Sequence, residues 1–163
     1  MDSSWEGYRM SKNKQLRSRV LFVCLGNTCR SPMAEGITQN MAKERIYVES
    51  AGIAKTGENA AIEAIEVMKG EFNVDISAHR PRNVANVSLN DFDYIIAMER
   101  GVYNHLKQSY QILPGKLKLL DIEDPFGRGI EAYKKCARKI RSQVIDLLID
   151  LELTTSGCRT KQR

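Results

Sequence analysis

No apolar run in the 163 residues approaches the roughly 18 needed to cross a bilayer. The run from Val20 to Leu25 is also too short for the core of a secretion signal, and no cleavage pattern follows it. A cytoplasmic protein without membrane insertion is the expectation. Cysteine is sparse: Cys24, Cys29, Cys136 and Cys158 are spaced too unevenly for a disulfide framework, and a reducing compartment would keep them as thiols. Only His79 and His105 are available to complete a zinc site around Cys24 and Cys29, so no metal and no other cofactor is expected. Also missing are the two glycine fingerprints of nucleotide sites, GxxxxGKS/T and GxGxxG. No basic motif interleaves with aromatics, which argues against nucleic-acid binding.

What is present suits one domain. Hydrophobic residues make up 42% of the chain, enough for a single core at this length, with too little chain for two. The net charge of +5 gathers partly at the ends, in Arg9, Lys12, Lys14, Arg17 and Arg19 and again in Arg159, Lys161 and Arg163. Residues 1–18 carry no sustained period and read as a flexible basic lead, residues 19–153 as the domain, and residues 154–163 as a basic tail. A positive field favours encounters with acidic, phosphorylated partners.

Short β-rich runs alternate with helical patterns. Strands are expected at Val20 to Cys24, Tyr47 to Ala51, Tyr94 to Met98 and Leu117 to Leu120. Helices are expected from Ser31 to about Arg45, from Glu58 to Phe72 with Ile62, Ile65 and Met68 on one face, and from about Gly101 to Ser109. Ile130, Tyr133, Ala137, Ile140, Val144, Leu147 and Leu151 mark a last, long amphipathic helix. Such alternation predicts an α/β fold with a mainly parallel sheet covered on both sides. Ligands in that architecture bind beyond the carboxyl ends of the strands.

The stretch CLGNTCRSP, residues 24–32, stands at such an end. Gly26 and Asn27 accept positive φ at least cost, so the loop Leu25, Gly26, Asn27, Thr28, Cys29 and Ser31 can turn successive N–H groups toward one anion. The helix that follows adds its positive end, and Arg30 offers a planar fork to a phosphate. Cys24 lies at the bottom of this cradle, where the same groups favour a thiolate nucleophile. Ser31 could donate its hydroxyl to that sulfur. A departing group also needs a proton. Asp121, Glu123 and Asp124 are candidates; Asp124 is preferred because Pro125 keeps it extended in a loop, with Glu123 as the fallback.

These residues, with PMAEG after the loop, SAG at Ser50 to Gly52, SAHRPR at Ser77 to Arg82, DYIIAM at Asp93 to Met98 and DPFG at Asp124 to Gly127, resemble the low-molecular-weight protein tyrosine phosphatase family. The resemblance runs from about Arg19 to Leu153. It implies a flavodoxin-like four-stranded parallel sheet of order 2-1-3-4 and metal-free hydrolysis of phosphorylated protein substrates. Cys24 would be the nucleophile, Arg30 the phosphate clamp and Asp124 the general acid, with Asn27, Ser31, Ser50 and His79 holding the loop open. Glu99 takes the place where the family often has aspartate.

Phosphotyrosine is the expected substrate, yet Thr28 stands where phosphotyrosine-directed members carry a bulky aliphatic residue, and Phe126 and Gly127 where they carry tyrosines. In these features the chain resembles bacterial protein arginine phosphatases, the alternative reading. Arsenate reduction is a weaker alternative, since AMERGVYNHL brings no redox cysteine after the third strand. A non-catalytic phosphate-binding module would not require Cys24 and Asp124 together. Cys29 could form a reversible disulfide that shields Cys24 from overoxidation.

Overall fold

The computed structural model describes residues 17–54 and 56–159. Most of the expected basic lead, residues 1–16, and the end of the expected tail, residues 160–163, lie outside the described residues. Four strands, β1 (Ser18–Cys24), β2 (Ile46–Gly52), β3 (Tyr94–Ala97) and β4 (Leu117–Leu119), form one parallel sheet in the order β2-β1-β3-β4. That is the flavodoxin-like order. Four helices cover it: α1 (Arg30–Ala42), α2 (Ile62–Phe72), α3 (Arg100–Ser109) and α4 (Ile130–Arg159).

Side chains of β1 alternate between two cores, as the two-residue strand period requires. Val20, Phe22 and Cys24 join α1, α2 and α4 on one face, whereas Leu21 and Val23 join Val102 and Leu106 of α3 on the other. Cys24 therefore ends on the α1 side. Because β1 pairs with β2 on one edge and β3 on the other, the two crossovers diverge at its carboxyl end and open a crevice there.

Three local expectations shift. The first helix stops at Ala42, not Arg45, because Lys43 takes φ 49° and the chain continues as a 3-10 turn, Lys43–Arg45. The second begins at Ile62 because the preceding segment bonds to the 24–31 loop, Ala61 N donating to Thr28 O at 2.9 Å. Its buried face is Ala64, Val67 and Met68, with Ile65 at the margin and Ile62 72% exposed. A three-residue step falls about 60° short of a full turn, so three residues at that step drift off one face. The long helix buries Tyr133, Ala137, Ile140, Val144, Leu147 and Leu151 as its period demands.

Candidate active site

Cys24 is the last residue of β1, and the seven residues after it wrap its sulfur. Asn27 makes the turn with φ 58°, in the left-handed region that asparagine tolerates. Gly26 was expected to share that role but stays outside positive φ; a Cβ there would meet Thr56 Oγ1 at 2.2 Å, so space is the constraint. The chain after β2 runs alongside the loop. Ile53 N bonds Cys24 O at 3.1 Å, Ala54 N bonds Leu25 O at 2.8 Å and Thr56 N bonds Gly26 O at 3.2 Å. This close approach needs Gly52, whose Cβ would stand 2.8 Å from Leu25 O and 2.9 Å from Asn27 N.

Two polar groups converge on the sulfur. Asn27 N lies 3.2 Å from Cys24 Sγ, and Ser31 Oγ lies 2.9 Å from it. The fully buried Asn27 amide organises the rest, donating to Ser31 Oγ at 2.8 Å and Ser50 Oγ at 3.0 Å, while its Oδ1 accepts from Arg82 N at 3.0 Å. His79 Nε2 sits 2.8 Å from Asn27 O. Ser50 donates in turn to Glu35. The structure thus brings Ser50 and His79 to the loop, and adds Glu35 and Arg82, which lie within the quoted segments PMAEG and SAHRPR.

Arg30 opens α1 and is 2% exposed. Its Nη1 donates to Glu99 Oε2 at 2.5 Å and to Ile122 O at 3.0 Å, and its Nη2 lies 3.4 Å from Asp124 Oδ2. Burial opposes the guanidinium charge, but the Glu99 bond, then Cys24 and Asp124, outweigh it and hold its pKa above the usual value. Asp124 is aimed inward, its other oxygen capped by Phe126 N at 3.1 Å. Glu123 turns outward to pair with Arg128. Adjacent carboxyls thus face opposite ways, and only Asp124 pairs with Arg30.

Leu25 and Phe126 are both exposed, at 42% and 72%, and Thr28 is half-buried. Cys29 is buried under the loop, its Sγ 3.1 Å from Tyr133 Oη. Burial pushes its thiol pKa up, although the Tyr133 hydroxyl works the other way. Tyr133 had been read only as core, and nothing in the local sequence announces a partner 104 residues away. Among the described residues no group of three or more His, Cys, Asp or Glu side chains is placed to hold a metal.

A thiol bonded to a backbone N–H and a serine hydroxyl at a strand end, in a loop whose buried arginine meets an inward carboxylate, is an arrangement for displacement at a tetrahedral oxyanion. Residues 19–156 match the model of the low molecular weight phosphotyrosine protein phosphatases. The chain belongs to that family. It is a cysteine-based phosphatase, a hydrolase. A low molecular weight protein tyrosine phosphatase from T. tengcongensis superimposes with a TM-score of 0.73 at 38% identity, covering 82% of this chain and 98% of that one. A protein-arginine-phosphatase from Geobacillus stearothermophilus is 34% identical over 81% of this chain and 94% of its own length. An arsenate reductase from Staphylococcus xylosus is 32% identical over 77% and 92%. This phosphatase therefore resembles proteins with three different substrates on one scaffold.

Proposed function

We propose that the protein hydrolyses phosphotyrosine in proteins through a phosphocysteine intermediate. Cys24 Sγ attacks phosphorus as the bond to the leaving oxygen breaks, and Asp124 gives that oxygen its proton. Water then attacks phosphorus, Asp124 takes the water's proton, and the sulfur leaves as a thiolate that receives the Ser31 hydroxyl. Arg30 holds the phosphoryl oxygens throughout. The observation that carries this reading is the bonding of Ser31 to Cys24 Sγ together with that of Arg30, from the same loop, to Asp124, which joins two segments about a hundred residues apart.

Exposed Leu25 and Phe126 support an aryl substrate, since apolar side chains at the mouth are what a phenyl ring would contact. Phosphoarginine is the second reading. Half-buried Thr28 supports it by leaving room and a hydroxyl where an aliphatic wall would otherwise stand, as does the relative bearing that activity in its name. Arsenate reduction gains no such support: Cys136 is buried with its thiol pKa pushed up to about 12, and the segment Glu99 to Ser109 holds no cysteine.

Comparing kcat/KM on phosphotyrosine and phosphoarginine peptides, for the parent and Thr28→Ile, tests the substrate. The parent should prefer phosphotyrosine, and Thr28→Ile should widen that preference. A parent that prefers phosphoarginine, with the preference reversed in the variant, would transfer the function to the second reading. Turnover retained in Cys24→Ser would end both.

A further inference from the structure

Between α1 and the segment Asn73 to His79 lies a cavity of about 510 Å³ that no step of the reaction uses. Its floor is tight and apolar. A Cβ on Gly36 would stand 3.0 Å from Ile76 and 3.3 Å from Val74, so helix and segment meet there without a side chain between them. The rim carries Glu44, Asp75 and Lys43, and the inner end is formed by Glu35 and His79.

Those two inner side chains also belong to the catalytic loop's support. Glu35 lines the cavity while accepting the Ser50 hydroxyl, and Ser50 in turn receives the Asn27 amide. His79 lines it with its ring while Nε2 meets Asn27 O. Two hydrogen bonds thus separate Glu35, and one separates His79, from the residue whose N–H touches Cys24 Sγ.

The charge around Glu35 is out of balance. The His79 ring stands beside it with Nδ1 at 3.9 Å, beyond hydrogen-bond distance, and among the described residues no lysine or arginine is in salt-bridge contact with it. Arg82 acts on Glu35 only from a distance, since its guanidinium is bonded to Glu49 at 2.9 Å. Burial raises the Glu35 carboxyl pKa, as expected for an anion short of partners. An anionic guest would face Glu35, Glu44 and Asp75 against Lys43, whereas a cation would complete Glu35.

We propose that this cavity is a second binding site, for a small organic cation with an apolar body, and that its occupant acts on the catalytic loop by drawing the Glu35 carboxylate away from Ser50. The apolar body rests on Gly36, Val74 and Ile76, and the cationic end meets Glu35. Asn27 then loses part of its fixed geometry, and turnover slows with little change in KM.

Benzamidine is a suitable probe, because its amidinium is repelled by Arg30, and competition with phosphate reports any binding at the mouth beside Asp124, Leu25 and Phe126. Titration into the whole chain, followed by amide NMR, should shift Gly36, Val74, Ile76 and His79 saturably, with a Kd of about 1 mM for so small a ligand. At saturation kcat on an aryl phosphate should fall about fivefold, the low end of ordinary coupling between sites. Inorganic phosphate should not displace the probe. Asn40→Trp, which fills the rim from an exposed position outside the catalytic network, should keep parental turnover and lose both responses. Shifts confined to residues 24–31, or competition with phosphate, would place the probe at the mouth and overturn the proposal. Absence of saturable shifts, or an unchanged response in Asn40→Trp, would remove the site. Binding without a change in kcat would remove its coupling to the loop.

Discussion

Replacing Asn27 by alanine removes more from this structure than any surface change. The side chain is fully buried and makes three hydrogen bonds, to Ser31 Oγ, Ser50 Oγ and Arg82 N, of 2.8 to 3.0 Å. At about 1 kcal/mol net for each bond, their loss costs about 3 kcal/mol. Alanine must also adopt φ 58°, which adds about 1 kcal/mol that asparagine largely avoids. The expected loss is therefore about 4 kcal/mol, a large share of the roughly 5–15 kcal/mol that holds an ordinary domain together. Urea titration followed by far-UV circular dichroism measures it, with Asn27→Gly beside it. Glycine loses the same bonds but accepts the backbone angle, so it should lie about 1 kcal/mol closer to the parent. In both variants Ser31 is no longer fixed beneath Cys24, and kcat on an aryl phosphate should fall at least about tenfold, equivalent to about 1.4 kcal/mol of transition-state stabilisation. A stability loss under about 1 kcal/mol, or alanine as stable as glycine, would refute both the ledger and the assigned backbone strain.

Asp124→Ala should lower kcat about a hundredfold or more while Glu123→Gln stays near the parent, and steady-state kinetics giving the reverse order would reassign the acid. Gly52→Ala should destabilise the fold and impair activity together, because its Cβ would meet three backbone atoms, Leu25 O, Gly26 C and Asn27 N, that have nowhere to go; a parental melting curve would show the loop to be looser than described. Burial raises the folded Glu35 pKa above its ordinary 4.5, so stability from this group is complete below the unfolded value and is lost as pH rises through the folded value. Urea midpoints for Glu35→Gln relative to the parent should then improve between acid and neutral pH, and a flat difference would contradict the burial. Cys29 and Cys136, buried and with raised thiol pKa values, should resist alkylation in the native state, as peptide mass spectrometry would show. If Cys29 nevertheless shields Cys24, reductant should restore peroxide-treated parent and not Cys29→Ala; equal recovery would end that role.

The elements and the order of the chemical parts were legible because they depend on local pattern. Alternating apolar runs and seven expected core positions on α4 follow from periods of two and 3.6, and CLGNTCRSP concentrates a candidate nucleophile, a turn and an arginine within nine residues. Where the reading slipped, tertiary contact had overridden local preference. The segment before Ile62 is tied to Thr28, which delays the helix expected from Glu58. Gly26 looked like a residue chosen for its backbone angle and proves limited by the side chain across from it.

By itself the sequence determined which residues could do the chemistry, since Cys24, Arg30 and Ser31 are neighbours on the chain and a strand followed by a helix presents them together. Only the tertiary structure decided which distant groups complete the site. Asp124 faces Arg30 while its neighbour Glu123 faces Arg128, a choice between adjacent carboxyls that depends on where β4 and α4 place the loop between them. Asn27 needs Ser50 and the Arg82 backbone, and Cys29 needs Tyr133. Such pairings carry no short-range signature, because a hydrogen bond across 23, 55 or 104 residues is set by the packing of the sheet and its helices and not by the residues on either side.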